Sequence, residues 1–194
     1  MRFLLRVLIQ VGLIIGGFAI LSIDPSRLPW YYRPKLMASL AFFFVLIIEL
    51  PSKIFSPSPE RDKFQDAIAF SLAASSVGTL GAWSKSVWFV PYDIFVHFII
   101  PFLMFVSALN LFSTVYAWPK KKTGVILFVV IAVIGIIWEY IEYWLYARYG
   151  VGYFGKLFDW DSITDIAANT AGLLAGAAFA AYRTKIAKII QGRP

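Results

Sequence analysis

Acidic residues and a lone histidine interrupt the most apolar part of this chain in three places: Asp93 with His97, Glu139 with Glu142, and Asp161 with Asp165 followed by Asn169. An ionised side chain at the centre of a bilayer costs roughly 2.5 to 3.5 kcal/mol on insertion scales, so several in apolar stretches mark a candidate functional site. Asp93 and His97 are four apart, Glu139 and Glu142 three apart, and Asp161, Asp165 and Asn169 step by four. On a helix, each set therefore projects from a single face. Carboxylates with one imidazole form a hard, oxygen-rich donor set that suits a divalent metal: Mg²⁺, Mn²⁺ or Ca²⁺, or with His97 also Zn²⁺. Asp93, His97, Glu139, Glu142, Asp161 and Asp165 are the candidate metal ligands. Glu139, Asp165 and His97 are the candidates for acid, base or other catalytic work, and Asn169 is an accompanying polar group.

Each residue also has a purely structural reading. His97 can be a ligand, a proton shuttle, or a helix-packing hydrogen bond to Asp93 or to a facing carboxylate. Glu142 can reach interfacial water among Tyr140, Tyr143, Trp144 and Tyr146. Glu139 lies one turn deeper and needs a partner or a proton. Asp161 fits the N-cap of a helix, where its carboxylate takes free amides, whereas Asp165 lies a turn inside, beyond the reach of capping. Asn169 suits a hydrogen bond to a neighbouring helix.

The chain of 194 residues is 60% hydrophobic and 15% charged. Soluble proteins run at about 45–50% apolar and about 25% charged residues, so composition predicts an all-α, polytopic integral membrane bundle in one domain. Apolar runs of about 20 residues place six spans at roughly Phe3 to Ile23, Leu36 to Phe55, Asp66 to Trp83, Pro91 to Val115, Gly124 to Leu145 and Ser162 to Tyr182. The third, with Ser71, Ser75, Ser76, Gly78, Thr79 and Gly81, is small and polar, and reads as a span packed among the others. No small-residue cleavage site precedes Asp24-Pro25, so the first run reads as an uncleaved span rather than a signal peptide. Pro25, Pro29 and Pro34, then Pro51, Pro57 and Pro59, then Pro119, are expected to end helices. The glycine- and aromatic-rich connection from Arg148 to Asp161 suits a cover at the membrane interface.

Six spans sort the 18 Lys and Arg residues twelve to six. The richer side carries Arg2, Arg6, Lys53, Arg61, Lys63, Lys120 to Lys122, Arg183, Lys185, Lys188 and Arg193, which places both termini in the cytoplasm and the three polar sets near the outer ends of their helices. Glu49 at the cytoplasmic end of the second span is expected to snorkel or to pair with Lys53. The net charge of +7 does not indicate nucleic acid, because the basic residues lie in short loops between apolar runs. There is no cysteine, hence no disulfide or thiolate chemistry, and no P-loop, GxSxG or HExxH motif names a reaction.

The runs Tyr92-Asp93-Ile94-Phe95-Val96-His97-Phe98, Trp138-Glu139-Tyr140-Ile141-Glu142 and Asp161-Ser162-Ile163-Thr164-Asp165 through Asn169 to Gly172 resemble the YjdF-type predicted membrane proteins, which look like relatives of the VanZ-like group. The resemblance is sharpest from about Ala67 to Gly176. It implies a bacterial-type inner-membrane location, and VanZ-like proteins are associated with resistance to glycopeptide antibiotics at the cell surface. No reaction is carried over. Two functions stay open: an enzyme acting on a lipid-linked or cell-wall substrate at the outer leaflet, and a non-enzymatic ligand-binding, proton-coupled transport or resistance accessory protein. The expected partners are the bilayer and a lipid or cell-wall ligand. The sequence leaves the oligomeric state open.

Overall fold

The computed structural model describes residues 2–24, 34–79, 86–87, 89–149 and 160–190. Six α-helices carry the architecture: α1 (Arg2–Ser22), α2 (Pro34–Ile54), α3 (Pro59–Thr79), α4 (Tyr92–Asn110), α5 (Lys120–Tyr149) and α6 (Trp160–Ile190). A two-residue antiparallel ladder of β1 (Ser86–Val87) and β2 (Val90–Pro91) leads into α4. Among the described residues, five helices are long and apolar enough to cross a membrane; α3 is the exception. Large apolar side chains such as Ile15, Leu46 and Val125 are more than half exposed, as befits helices solvated by lipid.

The prolines act at helix starts as much as at helix ends. Pro34 opens α2, and Pro59 opens α3 at the first helical position, where a missing N–H costs nothing. Ser58 caps that helix: its hydroxyl accepts from the Arg61 amide at 3.0 Å, with Glu60 and Asp62 favourably placed in the first turn. The third helix thus starts seven residues before the apolar run does, because a capped amphipathic turn precedes it. Pro51, expected to end the second helix, lies inside α2, and the Phe55 amide still donates to its carbonyl at 2.9 Å. Past α4, a π-helical turn (Leu111–Val115) and a left-handed Ala117 (φ 53°) reverse the chain, and the Thr123 amide reaches back to the Pro119 carbonyl at 2.9 Å. Residues 25–33, 80–85 and 150–159, including most of the proposed interfacial cover, lie outside the described residues.

Contacts fix the directions of the helices. Leu13, Ile48 and Ala69 form one core among α1, α2 and α3. At one end of that trio the Arg6 guanidinium meets the Asp66 carboxylate at 3.0 Å and donates to the Gln65 side chain, while Gln10 donates to Glu49 at 2.7 Å. Glu49 is exposed near the end of α2 and accepts from Gln10 and, at 3.2 Å, from the Ser52 hydroxyl; the expected alternative, an ion pair with Lys53, is not formed among the described residues. Phe55, Phe64, Phe112 and Tyr116 cluster at the same end, and at the opposite end the Tyr92 hydroxyl donates to the Ala74 carbonyl at 2.7 Å. The 21 residues of α3, about 32 Å of helix, therefore lie alongside the others from end to end. Polar groups in its first turns find partners in Arg6, which is why its composition is poorer in apolar residues.

The second core joins α4, α5 and α6 through Phe105, Leu109 and Leu173. The contact between α4 and α6 is the most extensive among the described helices. A Cβ added at Gly172 would stand 2.1 Å from the Phe98 carbonyl oxygen, and one at Gly176 would stand 3.4 Å from that of Phe102. These paired positions show that α4 and α6 run parallel, with backbones as close as a small-xxx-small face permits. Between them α5 runs antiparallel, with Gly124 beside Phe105 and Gly135 beside Asn169.

Replacing Gly172 tests that packing. Gly172→Leu meets backbone rather than a mobile side chain, so unfolding in detergent should show destabilisation at or beyond the roughly 1–3 kcal/mol of ordinary overpacking. Gly124→Ala, whose new methyl would make only an ordinary 3.9 Å contact, should leave the melting temperature nearly unchanged.

Candidate functional site

Asp93 stands in the first turn of α4 and His97 one turn later; a helical side chain leans toward the N-terminus, so His97 tilts back toward Asp93. The parallel helix α6 brings Asp165 to the same level, and the antiparallel α5 delivers Glu139 and Glu142 from its far end. The His97 ring is the meeting point. Its Nε2 lies 3.5 Å from Asp93 Oδ1 and 3.9 Å from Asp165 Oδ2, and its Nδ1 lies 3.8 Å from Glu139 Oε1. Three helices thus contribute to one pocket, at the end of the bundle opposite Arg6, Lys120 and Thr184.

Burial separates the residues into two groups. His97, Glu139 and Asp165 are buried, the two carboxylates at 3% and 2% exposure. Asp93 and Glu142 are half-buried. One oxygen of Glu139 (Oε1) and one of Asp165 (Oδ1) are buried without a hydrogen-bond partner among the described residues. Such groups cost roughly 1–3 kcal/mol each, more when charged, which makes them informative. Four carboxyl groups and one imidazole share the pocket, and an imidazolium offsets only one carboxylate, so the pocket calls for further positive charge or for protons.

Two sets of donor atoms lie within 4.8 Å of one another: Asp93, His97 and Asp165, and His97, Glu139 and Glu142. Ligand atoms held about 2.0–2.6 Å from a cation are at most about 4–5 Å apart, so each set is close to the span a divalent ion requires. Both sets share His97.

Five of the six candidate ligands converge. Asp161 is in neither donor set, although it lies within electrostatic reach of Glu139 and Asp165: α6 begins at Trp160, so Asp161 occupies its exposed first turn, favoured there by the helix dipole. Asn169 also lies outside both sets and packs against Gly135 of α5, where an added Cβ would stand 3.4 Å from its amide nitrogen. Ser162 belongs to the site although its type and position did not distinguish it in the sequence. It is buried and within hydrogen-bonding reach of Glu139. The signal available was its register, three residues before Asp165 and so on the same helical face.

A family model described as "Predicted membrane protein (DUF2238)" matches residues 5–185, which takes in every residue of the pocket and extends over α1 and α2 as well. No curated protein and no solved structure matches the chain.

The unbalanced charge has a consequence for stability. Removing one partner of a buried ion pair that holds a fold together costs about 3–5 kcal/mol. In chelator-treated protein, Glu139→Gln and Asp165→Asn should instead melt at or above the wild-type temperature, because each removes a carboxylate from an acidic pocket. A loss on the scale of a broken structural pair would show that the pocket serves only to lock the helices.

Proposed function

Because the chain belongs to this DUF2238 family of membrane proteins, whose description names no reaction, we propose from the pocket's geometry that it is a cation-dependent membrane enzyme. The reading places its substrate among lipid-linked or cell-wall components of the bacterial envelope, at the outer face of the inner membrane. The observation that carries it is the pair of buried carboxylate oxygens, on Glu139 and Asp165 beside His97, that have no hydrogen-bond partner among the described residues. The buried Glu139, Asp165 and His97 would hold the ion, together with the half-buried Asp93 and Glu142. A divalent ion there supplies Lewis-acid polarisation of a phosphoryl or carbonyl oxygen. The chain's own contribution is to fix the donors on three packed helices, to exclude lipid from the buried ones, and to offer a carboxyl group and an imidazole for proton transfer. The similarity of the three polar runs to YjdF-type and VanZ-like proteins supports the envelope location.

A second reading is favoured by the same 3.5–3.9 Å spacing of imidazole and carboxylates from three helices, which also suits a proton relay in a ligand-binding or transport protein. Elemental mass spectrometry separates the two. Purified in the presence of Mg²⁺, Mn²⁺, Ca²⁺ and Zn²⁺, the wild type should retain one of them near stoichiometrically, and Glu139→Gln should lose it. No retained metal in either protein overturns the enzyme reading and leaves the relay.

Orientation is part of the proposal. The lysine-rich end is cytoplasmic by its excess of basic residues, so the pocket faces outward. As the chain has no cysteine, single replacements report without background. In spheroplasts, a membrane-impermeant thiol reagent should label Phe89→Cys, next to the pocket and 87% exposed, and spare Lys122→Cys. The reverse pattern would invert the topology.

A further inference from the structure

At the end of the bundle away from the pocket, α5 and α6 diverge over α4 and leave an open cavity of about 750 Å³. That volume falls within the range of about 300–1,000 Å³ usual for ligand pockets. Its walls are apolar, with Gly124, Val125 and Phe128 of α5 on one side and the small Ala177 and Ala181 of α6 on the other, and the buried Phe105 and Leu109 of α4 lie at its base. No described helix fills it. Its rim has the opposite character: Lys120, Lys121 and Lys185 all line it, and the Lys120 ammonium donates to the Thr184 hydroxyl at 2.9 Å, which draws it across toward α6. The described carboxylates are absent from this lining.

We propose that this groove binds one anionic phospholipid, with an acyl chain between the apolar walls of α5 and α6 and the phosphate held by the three lysines and Thr184. An apolar slot opening at a cationic rim matches a molecule with an apolar tail and an anionic head, and matches neither a soluble anion nor a neutral lipid as well. The lysine run alone would read as an orientation signal. What distinguishes it is Lys185, brought from 64 residues away in sequence beside Lys121. Lysines near a membrane surface attract anionic lipid electrostatically, and the slot beside them adds a defined seat for one molecule. The inference is independent of the chemistry proposed for the acidic pocket.

Native mass spectrometry of the full chain, exchanged into mixed micelles with phosphatidylglycerol or with phosphatidylcholine of identical chains, tests it. One phosphatidylglycerol should remain bound per chain with at least tenfold preference over phosphatidylcholine. Lys120→Gln, Lys121→Gln and Lys185→Gln together should abolish the preference, and Ala181→Phe, which fills the slot and keeps the lysines, should abolish retention. Equal retention of the two lipids, or retention undiminished in Ala181→Phe, would overturn the proposal. All four substituted side chains are exposed, and melting in phosphatidylcholine verifies that each variant is folded.

Discussion

The close approach of α6 to α4 at Gly172 is the constraint on which the arrangement of the site depends. With no side chain at that position, the backbone of α6 comes against the Phe98 carbonyl, one residue beyond His97. Two turns toward the start of α6, the same register delivers Asp165 to the histidine ring. A larger residue would push the helices apart, and a donor set whose separations are 3.5–3.9 Å would not survive a shift of more than about an ångström. Packing and chemistry are thus placed together along α6, with Asp165 at the histidine and Gly172 and Gly176 against the backbone of α4.

The polar groups divide between the two ends of the bundle, and they are handled differently. Around Arg6, opposite charges meet: the guanidinium lies 3.0 Å from the Asp66 carboxylate and 4.0 Å from that of Asp62, donates to Gln65, and so joins α1 to α3 by ion pairing. Around His97, like charges outnumber the one imidazole, and one oxygen each of Glu139 and Asp165 has no hydrogen-bond partner among the described residues. A structural network in low dielectric tends toward the first arrangement, because each unpaired group carries a desolvation cost. The second arrangement makes sense when something else arrives to complete it.

Much of this was legible in the sequence because it rests on local rules. Apolar runs located the membrane helices, and three- and four-residue spacings identified the polar faces. Placing Asp93, Glu142 and Asp165 at one end of the bundle required only counting turns and alternating helix directions. Convergence on His97 was not legible, since no pattern within one helix states which neighbour it faces or how deeply the two pack. The α3 start was misplaced because charged residues in a capped first turn break an apolar run without breaking a helix. Asp161 reads as a cap or as a ligand in the sequence, and the start of α6 at Trp160 puts it in the first turn. Ser162 was passed over because a serine acquires meaning only when a buried carboxylate stands beside it.

The single histidine makes the central claim directly measurable. With ¹⁵N-labelled histidine, the chain contributes one imidazole, and its two ring nitrogens are signals from the site alone. Nuclear magnetic resonance in detergent, with Zn²⁺ added to chelated protein, should move one of those nitrogens to the shift of a metal-coordinated imidazole, with no such change in Asp165→Asn. Ring resonances unchanged at saturating Zn²⁺, or changed equally in Asp165→Asn, would contradict a cation centre built by α4, α5 and α6 around His97.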